Sequence, residues 1–132
     1  MGSEFTFYDY VDGTNVIRPW LDDLPLAVKV KFEHALLHLE ALGPGDWTRP
    51  QVDTLTDEDC AGLFEIRAKK SRHQYRILGC HGPGDRSPTL LHCFIKPGAR
   101  VPPAECRVAC RRRDQLLRNP SRHREEHVYG TG

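Results

Sequence analysis

Residues 62–96 read GLFEIRAKKSRHQYRILGCHGPGDRSPTLLHCFIK, and this stretch decides the fold. Three short segments in it, Leu63–Ala68, Gln74–Leu78 and Leu90–Lys96, alternate apolar and polar residues. Successive strand residues face opposite sides of a sheet. The alternation predicts Phe64, Ile66, Tyr75, Ile77, Leu91, Cys93 and Ile95 on one face, and Glu65, Arg67, Arg76, His92, Phe94 and Lys96 on the other. A sheet with one greasy face and one face of cations, a histidine and a carboxylate is a surface suited to a polyanion.

Outward from this meander, Gly79–Pro88 is a Gly/Pro loop, and Gly82-Pro83-Gly84 lacks the spacing of a phosphate cradle ahead of a helix. Upstream, Thr6–Val11 alternates and is aromatic, which predicts a first strand. Thr14 is the expected cap of a short helix carrying Val16, Ile17, Trp20 and Leu21. A longer helix follows, with Asp22 or Asp23 as its cap, Pro25 in its first turn and Gly43 at its end. Val28, Phe32, Ala35, Leu36, Leu39 and Leu42 make its apolar stripe. His34 and His38, four residues apart, read as surface residues. Gly43–Asp59 reads as a turn-rich connection. Downstream, Pro103 opens a C-terminal helix, Ala104–Arg118, which Asn119-Pro120 ends. Arg107, Arg111, Arg112, Arg113 and Arg118 give it a basic flank.

These elements predict an α+β domain: a small antiparallel sheet, two N-terminal helices packed on one face, and a short basic C-terminal helix. The boundaries expected are residues 6–118 for the domain and 119–132 for a disordered charged tail. Residues 1–5, MGSEF, read as a cloning scar.

Composition sets the class. The chain has 132 residues, 39% apolar and 28% charged, which fits one globular domain. No apolar run approaches the roughly 20 residues of a membrane span, and no secretory pattern opens the chain. The net charge of +1 hides a polarity: residues 1–60 sum to −8 and residues 61–132 to +9. That asymmetry favours an acidic or nucleic-acid partner for the basic part. The five cysteines, Cys60, Cys80, Cys93, Cys106 and Cys110, include no CxxC pair, which predicts reduced cytosolic thiols rather than a zinc site.

Gly62–Arg67, Tyr75–Leu78 and Leu91–Lys96 together resemble HigB-like toxins of the RelE/ParE superfamily, in its phage-derived branch of toxin–antitoxin systems. Pro102, Pro103, Glu105, Ala109 and Arg112 resemble the helix that follows the last strand there. Trp20-Leu21 and the helix ending at Leu42-Gly43 fit as well, so the resemblance spans about residues 6–118. It implies a cytoplasmic toxin that cleaves mRNA on the ribosome without metal or cofactor, by attack of a ribose 2′-hydroxyl on the adjacent phosphate. It also implies a cognate antitoxin of helix-turn-helix type as partner, besides ribosome and mRNA, and no membrane.

By position, the resemblance makes Arg76 a phosphate binder. Arg67, Lys69 and Lys96 become basic members of the catalytic set, and His92 its acid or base, the one group there that titrates near neutrality. Lys70, Arg72, Phe94, Arg100 and Arg112 are the expected RNA contacts. The tyrosine or histidine that many RelE enzymes carry just past the last strand is missing from Pro97–Pro103. Arg100, His92, His127 or Tyr129 are the groups that would stand in for it. The alternatives are a ParE-like gyrase inhibitor and a non-catalytic prophage nucleic-acid-binding regulatory module.

Overall fold

The structure is a computed structural model that describes residues 5–47, 52–84 and 86–130. Its centre is the meander of β4 (Phe64–Lys70), β5 (His73–Cys80) and β6 (Thr89–Lys96), all antiparallel. Arg67 lies opposite Arg76, and Arg76 opposite Phe94. Ile66 lies opposite Ile77, and Ile77 opposite Cys93. Directly paired residues share a face, so the expected division of faces holds through this register. It breaks once. A bulge at Leu78/Gly79 shifts the pairing, so that Gly79 meets Leu90 and Cys80 meets Thr89. Leu90 therefore packs with Phe64, Ile66 and Ile77, and Leu91 turns to the opposite face instead of the Phe64 face on which the alternation places it. Gly79 is required at this point, because a Cβ there would come 2.5 Å from the Phe64 ring and 2.7 Å from the Thr89 carbonyl oxygen.

The sheet is larger than the meander predicts. β1 (Tyr8–Asp12) runs parallel to β6 and forms a short hairpin with β2 (Thr14–Asn15). β3 (Val52–Thr54), within the segment read as a loop, pairs antiparallel with β4. The order is β2-β1-β6-β5-β4-β3. The tail expected to be disordered is ordered as far as Gly130. α4 (Pro120–His123) leads into β7 (Arg124–Glu126), which pairs antiparallel with β1. The reason lies in two buried histidines. His127 Nδ1 sits 2.8 Å from Asp9 Oδ1 with both side chains 1% exposed, and His123 stacks on Tyr10. The domain boundary at 118 is thus too early. Phe5 likewise belongs to the fold, edge-on to Trp47 and buried, whereas residues 1–4 of the segment read as a scar lie outside the described residues.

Helices cover both faces. α1 (Arg18–Asp22) and α2 (Leu26–Leu42) bury Ile17, Leu21, Val28, Phe32, Leu36 and Leu39 against Phe64, Ile66, Tyr75 and Ile77. Asn15, rather than Thr14, starts the α1 turn: its Oδ1 accepts from the N–H groups of Ile17 and Arg18, both at 2.8 Å. Gly43, with φ of 77°, ends α2 as its place after the last helical residue predicts. α3 (Pro103–Arg118) lies on the opposite face, where Cys106, Ala109 and Leu116 pack on Leu63, Leu78, Leu91 and Phe94. The face expected to present its cations openly is therefore half covered.

The thiols depart from expectation too. Cys60, in the 3₁₀ turn Glu58–Cys60, is joined to Cys106 of α3 by a disulfide, while Cys80, Cys93 and Cys110 are free. Both bonded cysteines are buried between the turn and the helix. The missing CxxC motif hid the pair because its spacing is set by packing, not by local sequence. No helix among the described residues is long and apolar enough to cross a membrane.

Candidate functional site: a cation–carboxylate cluster beside the α3 helix

Alternation along β4, β5 and β6 brings Glu65, Arg67, Gln74, Arg76 and Lys96 to the part of the sheet that α3 leaves uncovered. Glu65 is the hub. Its Oε2 is 3.2 Å from Arg76 Nε and its Oε1 is 3.2 Å from Arg67 Nε. Arg67 also reaches Asp53 of β3, with Nη2 2.8 Å from Oδ2. Arg76 donates from Nη2 to Gln74 Oε1 at 2.6 Å and from Nη1 to the Tyr75 carbonyl at 2.9 Å. Arg76 is only 6% exposed and Glu65 1%. Arg76, read as a phosphate binder with a sheet-face salt bridge to Glu65 as the other reading, is a buried member of an ion-pair network. Alternation fixed its face but not its burial.

Lys96 differs from the two arginines. Among the described residues its ammonium makes no direct hydrogen bond or ion pair, yet Glu65, Arg76, Arg67 and Asp53 all lie close enough to bear on its charge. Partial burial lowers its pKa first, Glu65 opposes that, and the arginines reinforce it. Three cations against two carboxylates leave the cluster near +1, less cationic than the sheet pattern alone implies. Their carboxylates hold the two guanidiniums in place, and the lysine is the charge beside them that has no direct partner among the described residues.

A second polar group lies where β6 meets α3. His92 Nε2 is 2.6 Å from Glu105 Oε1, and His92 Nδ1 is 3.3 Å from Arg112 Nη1. Arginine only donates, so Nδ1 is the acceptor and Nε2 carries the proton given to Glu105. Burial lowers the His92 pKa, the Glu105 bond opposes this, and Arg112 lowers it further. The neutral ring is thus fixed as one tautomer, with both nitrogens engaged inside the chain. Arg112 also donates to the Leu91 carbonyl at 2.8 Å and stands over the Tyr10 ring, 5.3 Å from its centre. Glu105 and Tyr10 were not among the residues singled out for the site. Tyr10 has no local signal, because it meets Arg112 only through the parallel pairing of β1 with β6.

The remaining candidates scatter. Phe94 is buried between the two groups and stacks on His92. Lys69 is exposed at the hairpin on the cluster's face, whereas alternation sends Lys70 to the opposite face. Arg72 is exposed in the hairpin turn itself. Arg100 stands apart, lining a cavity of about 330 Å³ with Asp57, Glu58, Asp59 and Cys60. Tyr129 packs into the α2-side core and His127 against Asp9, so neither reaches the cluster. Among the described residues no group of three His, Cys, Asp or Glu side chains is placed to hold a metal.

No curated protein and no solved structure matches the chain. The family model described as Phage derived protein Gp49-like (DUF891) matches residues 19–114, which takes in α1, α2, the whole meander, the Glu65 cluster and the His92–Glu105–Arg112 group. The chain therefore belongs to the phage-derived Gp49-like family.

Proposed function

We propose that this chain is the toxin of a two-gene toxin–antitoxin pair, and that it acts as a ribosome-dependent endoribonuclease of the HigB/RelE kind. The observation that carries this reading is the Gp49-like match across residues 19–114, a family commonly of the RelE/HigB toxin type. The cluster supplies chemistry that fits. Cleavage by a ribose 2′-hydroxyl builds negative charge on a crowded phosphorane, and fixed cations stabilise it best when they need not reorganise. Glu65 and Asp53 hold Arg67 and Arg76 in place, and Lys96 is the cation left to meet the phosphate. His92 orients Arg112 and Glu105 rather than touching substrate.

A second reading has its own support. With both His92 nitrogens engaged, the cluster presents no open acid or base, which suits a non-catalytic nucleic-acid-binding module. Induced expression in a bacterium, with primer extension on a reporter mRNA, separates the two. The toxin reading expects growth arrest and cuts within translated codons, both lost in Lys96→Ala. Arrest without cuts, or neither, overturns the nuclease. A helix-turn-helix protein encoded next door that restores growth on co-expression completes the pair.

A further inference from the structure

Five arginines stand on α3, and they divide by direction. Arg112 and Arg113 turn inward: Arg112 donates to the Leu91 carbonyl, and Arg113 donates to the Ala61 carbonyl at 3.2 Å. Arg107, Arg111 and Arg118 turn outward, and all three are exposed. At 3.6 residues per turn they fall within about 40° of one another, forming one ridge. The ridge lies on the side of the helix away from Cys106, Ala109 and Leu116, which are buried against the sheet.

The ridge has few internal partners. Arg107 has a side chain 61% exposed, and its nearest carboxylate, Asp59, is 3.9 Å away. Among the described residues, Arg111 and Arg118 make no hydrogen bond or ion pair. Asp114 lies on the same stripe and leaves it near +2. Of the other acids, Glu105 on the helix is engaged by His92, and Asp12 of β1 lies towards Tyr10 and Arg112. The helix dipole gives Arg118 a reason to sit in the last turn. It gives none for Arg107 or Arg111, which lie away from that end.

The choice of residue also points to a ligand. From Arg100 to Arg124 inclusive there are eight arginines and no lysine, whereas the hairpin Lys69–Arg72 mixes both. Solubility alone does not distinguish the two, but the planar fork of arginine can bind a phosphate bidentately where lysine offers a point charge. Protein interfaces centre on well-packed anchors such as Trp, Tyr and Arg, and the stripe has no aromatic or large apolar side chain to pack beside its arginines.

We infer that the outer face of α3 is a second interface, one that binds the phosphodiester backbone of a double-stranded nucleic acid without reading its sequence. From Arg107 to Arg118 the ridge is about 16 Å long. A duplex carries one charge per roughly 1.7 Å of axis, so the ridge runs past on the order of nine phosphates. Three guanidiniums find partners there without a fixed register.

The test is fluorescence anisotropy of a labelled RNA duplex, and of a DNA duplex of the same sequence, against the full chain over a range of salt. The dependence of log K on log salt has a slope of about 0.9 per phosphate neutralised. The triple variant Arg107→Gln, Arg111→Gln, Arg118→Gln should therefore lower the slope by between two and three. Arg107→Lys, Arg111→Lys, Arg118→Lys keeps the charges and should keep the slope, and unchanged thermal midpoints establish that both variants fold. Loss of slope on the RNA arm, the DNA arm or both supports the interface and tells which duplex it serves. An unchanged slope in the glutamine variant, or no duplex binding by the parent chain, overturns it. Displacement of duplex by polyglutamate at equal charge also overturns it, since an acidic protein segment would then be the better occupant.

Discussion

The carboxylate of Glu65 stands 3.2 Å from Nε of Arg76, and both side chains are almost wholly withdrawn from water. Removing one partner of a buried pair leaves the other charged and poorly solvated, at a cost of about 3–5 kcal/mol. Arg67 would remain beside Glu65, so Arg76→Ala should lose about 3 kcal/mol, the low end of that range. Lys96→Ala removes an ammonium with no partner of its own and should stay within about 0.5 kcal/mol of the parent. Urea unfolding of both variants checks this, and equal stability would mean that the Glu65–Arg76 pair is solvated after all. Loss of activity is accordingly read more cleanly at Lys96.

His92 gives the fold a pH dependence of known sign. Its pKa in the folded chain lies below the ordinary value, chiefly through burial and despite Glu105. Partial covering by the Trp47 and Phe64 rings shifts His81 in the same direction, though much of its side chain stays exposed. An unfolded chain then binds more protons than the folded one below about pH 6.5, the value for a free imidazole. Stability is fully present above that pH and falls as pH drops towards the folded-state value. Unfolding midpoints measured from pH 7.5 down to pH 5 should decline, and the decline should be shallower in the double variant His81→Gln, His92→Gln. An equally steep fall in the double variant would assign the effect to other groups.

The C-terminal segment is a structural part of the sheet. Ending the chain after Arg118 removes β7 and leaves Asp9, 1% exposed, with only the Asn15 amide at 3.0 Å. It also uncovers Tyr10, on which His123 stacks. The truncated chain should lose on the order of 3 kcal/mol, and His127→Ala alone should lose a good part of that. Thermal unfolding of the two, alongside the parent, is the measurement. A truncated chain that melts with the parent would return residues 119–130 to the role of a loose tail.

How far the sequence carried can be judged from these same residues. Period-two alternation placed Arg67, Arg76 and Lys96 on one face because register in a half-buried meander follows the apolar pattern. The Val28–Leu39 stripe and Gly43 located α2 because helix period and terminating glycine are local signals. A pairing of Arg76 with Glu65 across the sheet face was legible, but the burial of both side chains was not, since it depends on how neighbouring elements close over them. Nor was the order of the tail, whose His127 finds Asp9 across 118 positions. The bulge that re-aims Leu91 left no mark in the alternation. The buried ion pair and the ordered tail were missed because they are long-range, the bulge because it breaks a period, and what was found was periodic or a terminating glycine.

The disulfide makes the last prediction. Cys60 and Cys106 are separated by 46 residues, and their bond ties the Glu58–Cys60 turn to the helix that carries Glu105 and Arg112. Closing a loop of that length should stabilise the fold by about 4 kcal/mol in the chain-entropy account. Alkylation of the denatured protein without reductant should modify three thiols, Cys80, Cys93 and Cys110. After reduction it should modify all five. The double variant Cys60→Ser, Cys106→Ser should unfold at lower urea than the parent, and the parent treated with a dithiol should approach it. Five thiols alkylated without reductant would show the pair to be reduced. The turn would then be held to α3 by packing, by the Arg113–Ala61 and Cys110–Asp59 hydrogen bonds and by the Arg107–Asp59 pair, and the dithiol would leave the unfolding midpoint where it was.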